Sequence, residues 1–222
     1  MKKPTLIYFK ARGRAEVIRL VLAEAGVDYD EHPVGKDLPR HEGQPTDLVG
    51  LREAGLLPFG AVPVWVDSDG FRLAQSGAIA RYLAATHGMV GGTPREQARV
   101  EEILGGVDDV RLELRRLVPA APADRPAIVA ELTDSFLPRW MGYFDRFLAA
   151  NRDGTGFLVG DSLTLADLAL YYLLELLPDN RFGAAIDAYP RLAAFARRIA
   201  ERPRIAAYIA SPSRWALVPF PR

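Results

Sequence analysis

The sequence predicts a chain of two parts, a small α/β domain over residues 1–86 and an all-helical domain over residues 94–222. Three observations carry this. Strand, helix and strand signals follow one another near the start, and after a variable middle come two strands and a helix. A glycine-rich break, Thr86-His87-Gly88-Met89-Val90-Gly91-Gly92-Thr93-Pro94, then interrupts the chain, and beyond it strand signals nearly vanish. With 222 residues and 49% apolar side chains the chain is long enough for two domains and a sizeable core.

Thr5-Leu6-Ile7-Tyr8-Phe9 reads as a short strand. Arg12-Gly13-Arg14-Ala15-Glu16 opens an amphipathic helix in which Val17, Leu20 and Val21 share a face, and Gly26 is its natural C-cap. A second strand is expected from Val27-Asp28-Tyr29. Leu57 to Val66 enters a third strand through the proline-rich turn around Val62-Pro63, and Asp67-Ser68-Asp69-Gly70 turns it into a fourth at Phe71-Arg72-Leu73. Gln75-Ser76 stands where this strand gives way to the helical spacing of Ile79, Tyr82 and Leu83, so Ser76 is expected as the N-cap. A helix start of this kind holds a carboxylate well.

In the second half, residues 94–118, 124–150, 164–177 and 190–201 read as helices, with Pro138 expected to kink or restart the second of them. Thr164-Leu165-Ala166-Asp167 has the spacing of a capping box, with Leu163 and Leu168 as its hydrophobic staple, so Asp167 is assigned to folding and not to chemistry. Trp140, Tyr143, Phe144 and Phe147 form a helical stripe expected in the core, as are Tyr171 and Tyr172. The tail from Ser211, broken by prolines, is expected to lie extended.

Composition removes several kinds of chemistry. Lys plus Arg and Asp plus Glu both number 28, so no global field favours nucleic acid or an acidic membrane surface, and an anionic ligand must be held by local geometry. The absence of cysteine removes disulfides, thiolate metal sites and a protein thiol nucleophile. His32, His41 and His87 are scattered without ligand spacing, so no metal site is expected. Met1-Lys2-Lys3-Pro4 does not resemble a secretory leader, and the apolar run from Leu163 to Leu177 is too short to span a bilayer, which makes the cytoplasm the expected location.

The order of elements, with Val62-Pro63 before the hairpin and Gln75-Ser76 after it, resembles the thioredoxin-like domain of cytosolic glutathione transferases. Tyr8-Phe9 followed by Arg12-Gly13-Arg14-Ala15-Glu16 is most similar to the sigma class and its alpha, mu and pi relatives, which place a tyrosine here, and the likeness runs through the helical half. What the resemblance implies is attack of glutathione thiolate on a small hydrophobic electrophile in a homodimer, with glutathione as cosubstrate and no other cofactor. The same scaffold also serves glutathione-dependent isomerases or peroxidases and non-enzymatic, crystallin-like relatives.

The resemblance also carries roles to particular residues. The Tyr8 hydroxyl would donate to the glutathione sulfur, and Arg14 would support the thiol pocket beside Phe9. Val62, ahead of a proline that the family keeps cis, would pair its backbone with the cysteinyl part, and Pro63 would set that geometry. Gln75 and Ser76 would hold the γ-glutamyl carboxylate. Asp109, on the first helix after the break, would reach the γ-glutamyl amine of glutathione in the neighbouring subunit, and Trp215 and Phe220 of the tail would line the electrophile site. The sequence departs from the family where a lysine is common, at Ala61. The tryptophan and lysine that contact the glycyl carboxylate have no counterparts in register, Arg52 included.

Overall fold

The computed structural model describes residues 2–221. Four strands, β1 (Thr5–Phe9), β2 (Asp30–Val34), β3 (Val64–Val66) and β4 (Arg72–Ala74), form one sheet in the order β2-β1-β3-β4. The pair β1 and β2 is parallel, with Ile7 opposite His32, and the crossover between them contains α1 (Glu16–Ala25). The other two pairs are antiparallel: Ile7 lies opposite Val64, and Val64 opposite Ala74. Helix α2 (Leu48–Glu53) precedes β3, and α3 (Ser76–Thr86) follows β4.

The pleat sends alternate residues of β1 to opposite faces. Ile7 joins Val34, Leu51, Leu57, Val64 and Ala74 in one apolar cluster, while Leu6 and Tyr8 point to the other side and are buried there. Each large apolar side chain among these contributes about 1.5–3 kcal/mol by leaving water. Helix α1 buries Val17, Ile18, Leu20, Val21 and Leu22 and stops at Gly26, whose φ of 70° is left-handed, as the sequence predicts. Two expectations shift. The second strand begins at Asp30 and not at Val27, and it runs through Pro33, which an edge strand tolerates because no neighbour needs its missing N–H. The middle segment contains α2, capped by Asp47, whose Oδ1 accepts from the Gly50 amide at 2.8 Å.

The chain divides into two units, 1–87 with 207–218 and 88–206 with 219–222, so the segment after Ala206 returns to the first of them. The second unit begins with α4 (Pro94–Leu114), whose N-cap Thr93 forms a capping box with Glu96. Next come α5 (Arg125–Glu131), a single π turn over Leu132–Phe136, and α6 (Leu137–Ala150). Pro138 sits in the first turn of α6. It has no N–H for the carbonyl four residues back, and the wide turn ahead of it interrupts the α-helical hydrogen bonding without ending the expected helix, whose backbone stays helical through the junction.

Helix α7 (Leu165–Asp179) is buried on almost every side, Tyr171 and Tyr172 included. The Asp167 carboxylate at its start accepts from the amides of Leu158 and Thr164, both at 2.7 Å, and from the Thr164 hydroxyl at 2.8 Å, which is the folding role expected of it. Burial pushes its pKa up to about 6 against the pull of those donors. The short α8 (Ala184–Asp187), α9 (Pro190–Ala200) and α10 (Pro203–Ala210) complete the helices, and the tail makes a turn over 212–214 before running without regular structure over 215–221, so it is not helical, as expected, but not wholly extended either. No helix among the described residues is long and apolar enough to cross a membrane.

Candidate functional site

Register alone gathers most of the predicted residues at one end of the sheet. Antiparallel pairing of Ile7 with Val64 continues toward Tyr8 and Phe9 on β1 and toward Pro63 and Val62 ahead of β3; pairing of Val64 with Ala74 continues toward Gln75 and Ser76 beyond β4. The Val62-Pro63 peptide is cis. Three separate stretches of sequence, around residues 8, 62 and 75, therefore end side by side.

Tyr8 is buried, as is Pro63, and the Tyr8 ring meets Phe9, itself 40% exposed, edge-on at 5.4 Å. The Tyr8 phenol oxygen accepts from the backbone amide of Arg14 at 2.9 Å. That approach depends on Gly13, whose φ is +45° and whose place a Cβ could not share, since it would lie 2.6 Å from the Tyr8 oxygen. The Arg14 side chain is exposed, and its part in the geometry of Tyr8 is played by its amide. A bond accepted by a phenol oxygen polarises the same hydroxyl as a donor.

At the helix start the expectation is corrected by one residue. Gln75, not Ser76, is the N-cap of α3, with φ 73° and ψ 114°, and Ser76 is the first helical residue, half-buried. No side-chain hydrogen bond caps this end. A non-glycine residue at positive φ is strained, and here it marks the sharp turn from β4 into α3, whose first amides have no acceptor within the helix. The positive partial charge of those amides suits a carboxylate.

Arg52 donates from Nε to the Gly60 carbonyl at 2.7 Å and so braces the turn that leads to Val62. Asp109 lies in the second unit, exposed on α4, where it borders a cavity of about 880 Å³ together with Arg99, Gly106, Trp140, Tyr143 and Phe147. The aromatic stripe is thus not wholly core. Phe144 is buried, but Trp140 and Phe147 are only partly so and Tyr143 is 36% exposed, because a cavity opens between that side of α6 and α4. Trp215 accepts at its carbonyl from Arg12 Nε at 3.1 Å, with Lys10 Nζ 5.7 Å from its ring centre, and the Phe220 amide donates to Asn180 at 2.7 Å. Among the described residues no group of three or more His, Cys, Asp or Glu could hold a metal ion.

Two residues beside the site carry no signal in the sequence. Glu16, wholly buried, accepts from Arg214 Nε at 2.8 Å and from the Tyr208 hydroxyl at 3.0 Å. Burial pushes the Glu16 carboxyl above its ordinary range although Arg214 and Arg19 draw it down. Arg19, equally buried, grips Glu31 through Nε at 2.6 Å and Nη2 at 3.1 Å.

The family model described as "Glutathione S-transferase, N-terminal domain" matches residues 4–85, and "Glutathione S-transferase, C-terminal domain" matches residues 108–212. Glutathione S-transferase P 1 of Bufo bufo is 34% identical over 209 residues, covering 93% of this chain and 91% of its own. Glutathione S-transferase alpha-1 of Rattus norvegicus is 34% identical over 207 residues, covering 93% and 88%. Among solved structures, that of NaGST-2 superposes with a TM-score of 0.74 at 30% identity, covering 96% of this chain and 98% of that one.

Proposed function

The chain belongs to the glutathione S-transferase family, and on that premise we propose that it catalyses attack of glutathione thiolate on a small hydrophobic electrophile, with the Tyr8 hydroxyl stabilising the thiolate. The observation that carries this reading is the hydrogen bond from the Arg14 amide to the Tyr8 oxygen, at the sheet end shared with Val62, Pro63, Gln75 and Ser76.

The chemistry is adequate for the task. A free cysteine thiol with a pKa of about 8.5 is only about 3% thiolate at pH 7. One hydrogen bond to the charged sulfur, worth about 1.5–3 kcal/mol, lowers that pKa by roughly one to two units and makes the thiolate a substantial species at neutral pH. The proton leaves to solvent before or as the sulfur attacks, and Tyr8 keeps its own.

The other residues bind and orient. The backbone of Val62, turned by Pro63, would pair with the cysteinyl amide and carbonyl as an added strand. The amide of Ser76 and its hydroxyl, with Gln75, would hold the γ-glutamyl carboxylate at the start of α3. In a homodimer, Asp109 of one subunit would meet the γ-glutamyl amine bound to the other. Phe9 and the Arg14 side chain would border the thiol pocket. Glutathione is the cosubstrate, no further cofactor is called for, and the cytoplasm, where reduced glutathione is abundant, is the proposed location.

The test is calorimetric titration with glutathione, followed by turnover on a panel of aryl halides, isothiocyanates and hydroperoxides. Conjugate formation supports the proposal. Peroxide consumption without conjugate would move the chain to a peroxidase on the same scaffold, and binding without any turnover would make it a binding protein.

A further inference from the structure

The turn that holds Tyr8, residues 11–15, ends in a 3-10 turn over Gly13–Ala15 that runs into α1, and further contacts hold it from elsewhere in the chain. On its entering side the Arg12 amide donates to the Ala216 carbonyl at 3.2 Å and Arg12 Nε to the Trp215 carbonyl at 3.1 Å. On its leaving side Glu16, the first residue of α1, accepts from Arg214 and Tyr208. From within the unit, Arg19 Nη1 donates to the Ala11 carbonyl at 2.8 Å while its other edge is held by Glu31. Gly13 and Arg14 lie between the two grips of the C-terminal segment, and the Arg14 amide is the group that meets the Tyr8 oxygen.

The grip at Glu16 is a stiff joint. Its carboxylate is wholly buried and the Arg214 side chain is 5% exposed, so neither can exchange its partner for water without opening the packing around them. Arg214 reaches the same carboxylate oxygen through both Nε and Nη2 at 2.8 Å, Tyr208 takes the other oxygen at 3.0 Å, and Arg19 Nη1 stands 3.7 Å from that oxygen. Hydrogen bonds weaken steeply with distance and angle, so a small drift of the turn would take the Tyr8 hydroxyl out of line with a sulfur atom.

We propose that Glu16 and Arg214 are positioning residues: their buried ion pair, with Tyr208, straps residues 208–216 onto the Gly13–Arg14 turn and so sets the direction in which Tyr8 presents its hydroxyl to the substrate sulfur. This rests on the reading of Tyr8 as the donor to the thiolate. It makes the acidity of the bound thiol depend on a segment almost two hundred residues away in sequence. Displacement of the tail would then silence the chemistry without emptying the glutathione site.

The experiment titrates the thiol of bound glutathione by its thiolate absorbance in Arg214→Met, in Arg214→Lys, in the double variant Glu16→Met with Arg214→Met, and in Tyr8→Phe. The single Met variant strands a buried carboxylate and can unfold; the double variant removes both charges of the pair and leaves Arg19 held by Glu31 and the Ala11 carbonyl, a kind of replacement that proteins often tolerate. The expected result in the folded variants is a bound-thiol pKa raised by about one unit, a tenfold loss of thiolate at neutral pH. Turnover recovers as pH is raised, and the KM for glutathione stays within about threefold, because the carboxylate and backbone contacts are untouched. Arg214→Lys should shift the titration less. An unchanged titration in the folded double variant, with Tyr8→Phe shifted, overturns the strap and leaves the role of Tyr8 standing. No shift in Tyr8→Phe overturns the thiolate reading itself. A shift from the double variant that persists in a Tyr8→Phe background also overturns the strap, since it would not be acting through Tyr8.

Discussion

Gly13 and Tyr8 occupy a space that no larger pair could share: a Cβ on Gly13 would stand 2.6 Å from the Tyr8 hydroxyl oxygen, and the Gly13 backbone has a φ of +45° that L-residues resist. Gly13→Ala is therefore expected to destabilise the protein by about 1–2 kcal/mol through backbone strain and to displace the phenol. Turnover should fall at least tenfold at neutral pH while glutathione affinity changes little. Steady-state kinetics with calorimetric binding would check this, and wild-type turnover would mean that the turn relaxes without moving Tyr8.

Tyr8→Phe removes the hydroxyl and leaves the ring packing against Phe9. Glutathione affinity is expected to stay within a few-fold while turnover drops by roughly one to two orders of magnitude, the effect of one charge-assisted hydrogen bond. Thiolate absorbance against pH, with glutathione bound, is the direct readout. A thiol pKa equal to that of the wild type would end the role proposed for Tyr8.

Ser76→Ala should weaken glutathione binding by about 1–3 kcal/mol by leaving a carboxylate oxygen unpaired. Asp109→Ala should weaken it too, but from the other subunit. In a mixed dimer of Ser76→Ala and Asp109→Ala subunits, a shared site concentrates both defects in one pocket and leaves the second normal. Calorimetry should then find half the pockets with wild-type affinity. Uniformly weakened pockets, each with a single defect, would place Asp109 on its own subunit's glutathione, and wild-type affinity in the Asp109→Ala homodimer would place it away from the site.

Asp167 supplies a test of the helical unit. Its folded pKa of about 6 lies above the ordinary 3.8, so its contribution to stability is complete below about pH 4 and is lost as pH rises through 6. The stability difference between wild type and Asp167→Asn should accordingly narrow by about 2 kcal/mol from pH 4 to pH 7. Denaturant unfolding at unit steps of pH measures it. A difference that widens with pH would show that the amide donors of Leu158 and Thr164 outweigh burial and hold the carboxyl below its ordinary range.

Features that the sequence determined by itself are those whose cause lies within a few residues. Gly26 ends α1 because only glycine enters the left-handed cap easily, Thr164 and Asp167 cap α7 because their spacing closes a local ring of hydrogen bonds, and the long helix widens to a π turn just ahead of Pro138, which lacks an N–H. The stretches around Tyr8, Val62-Pro63 and Gln75-Ser76 were legible in the same way, each as a short pattern at the end of an element. Tertiary structure decided the rest. It made Gln75 and not Ser76 the cap of α3, because the sharp exit from β4 needs a positive φ that no side-chain pattern announces. It let Pro33 stand in a strand because that strand is at the edge, and it left Tyr143 exposed and Trp140 and Phe147 partly so because a cavity opens between that side of α6 and α4. Above all it joined Glu16 to Arg214 across 198 residues, a pairing without local period or spacing, which exists only because folding brings two distant charges into one dry place where each is the other's replacement for water.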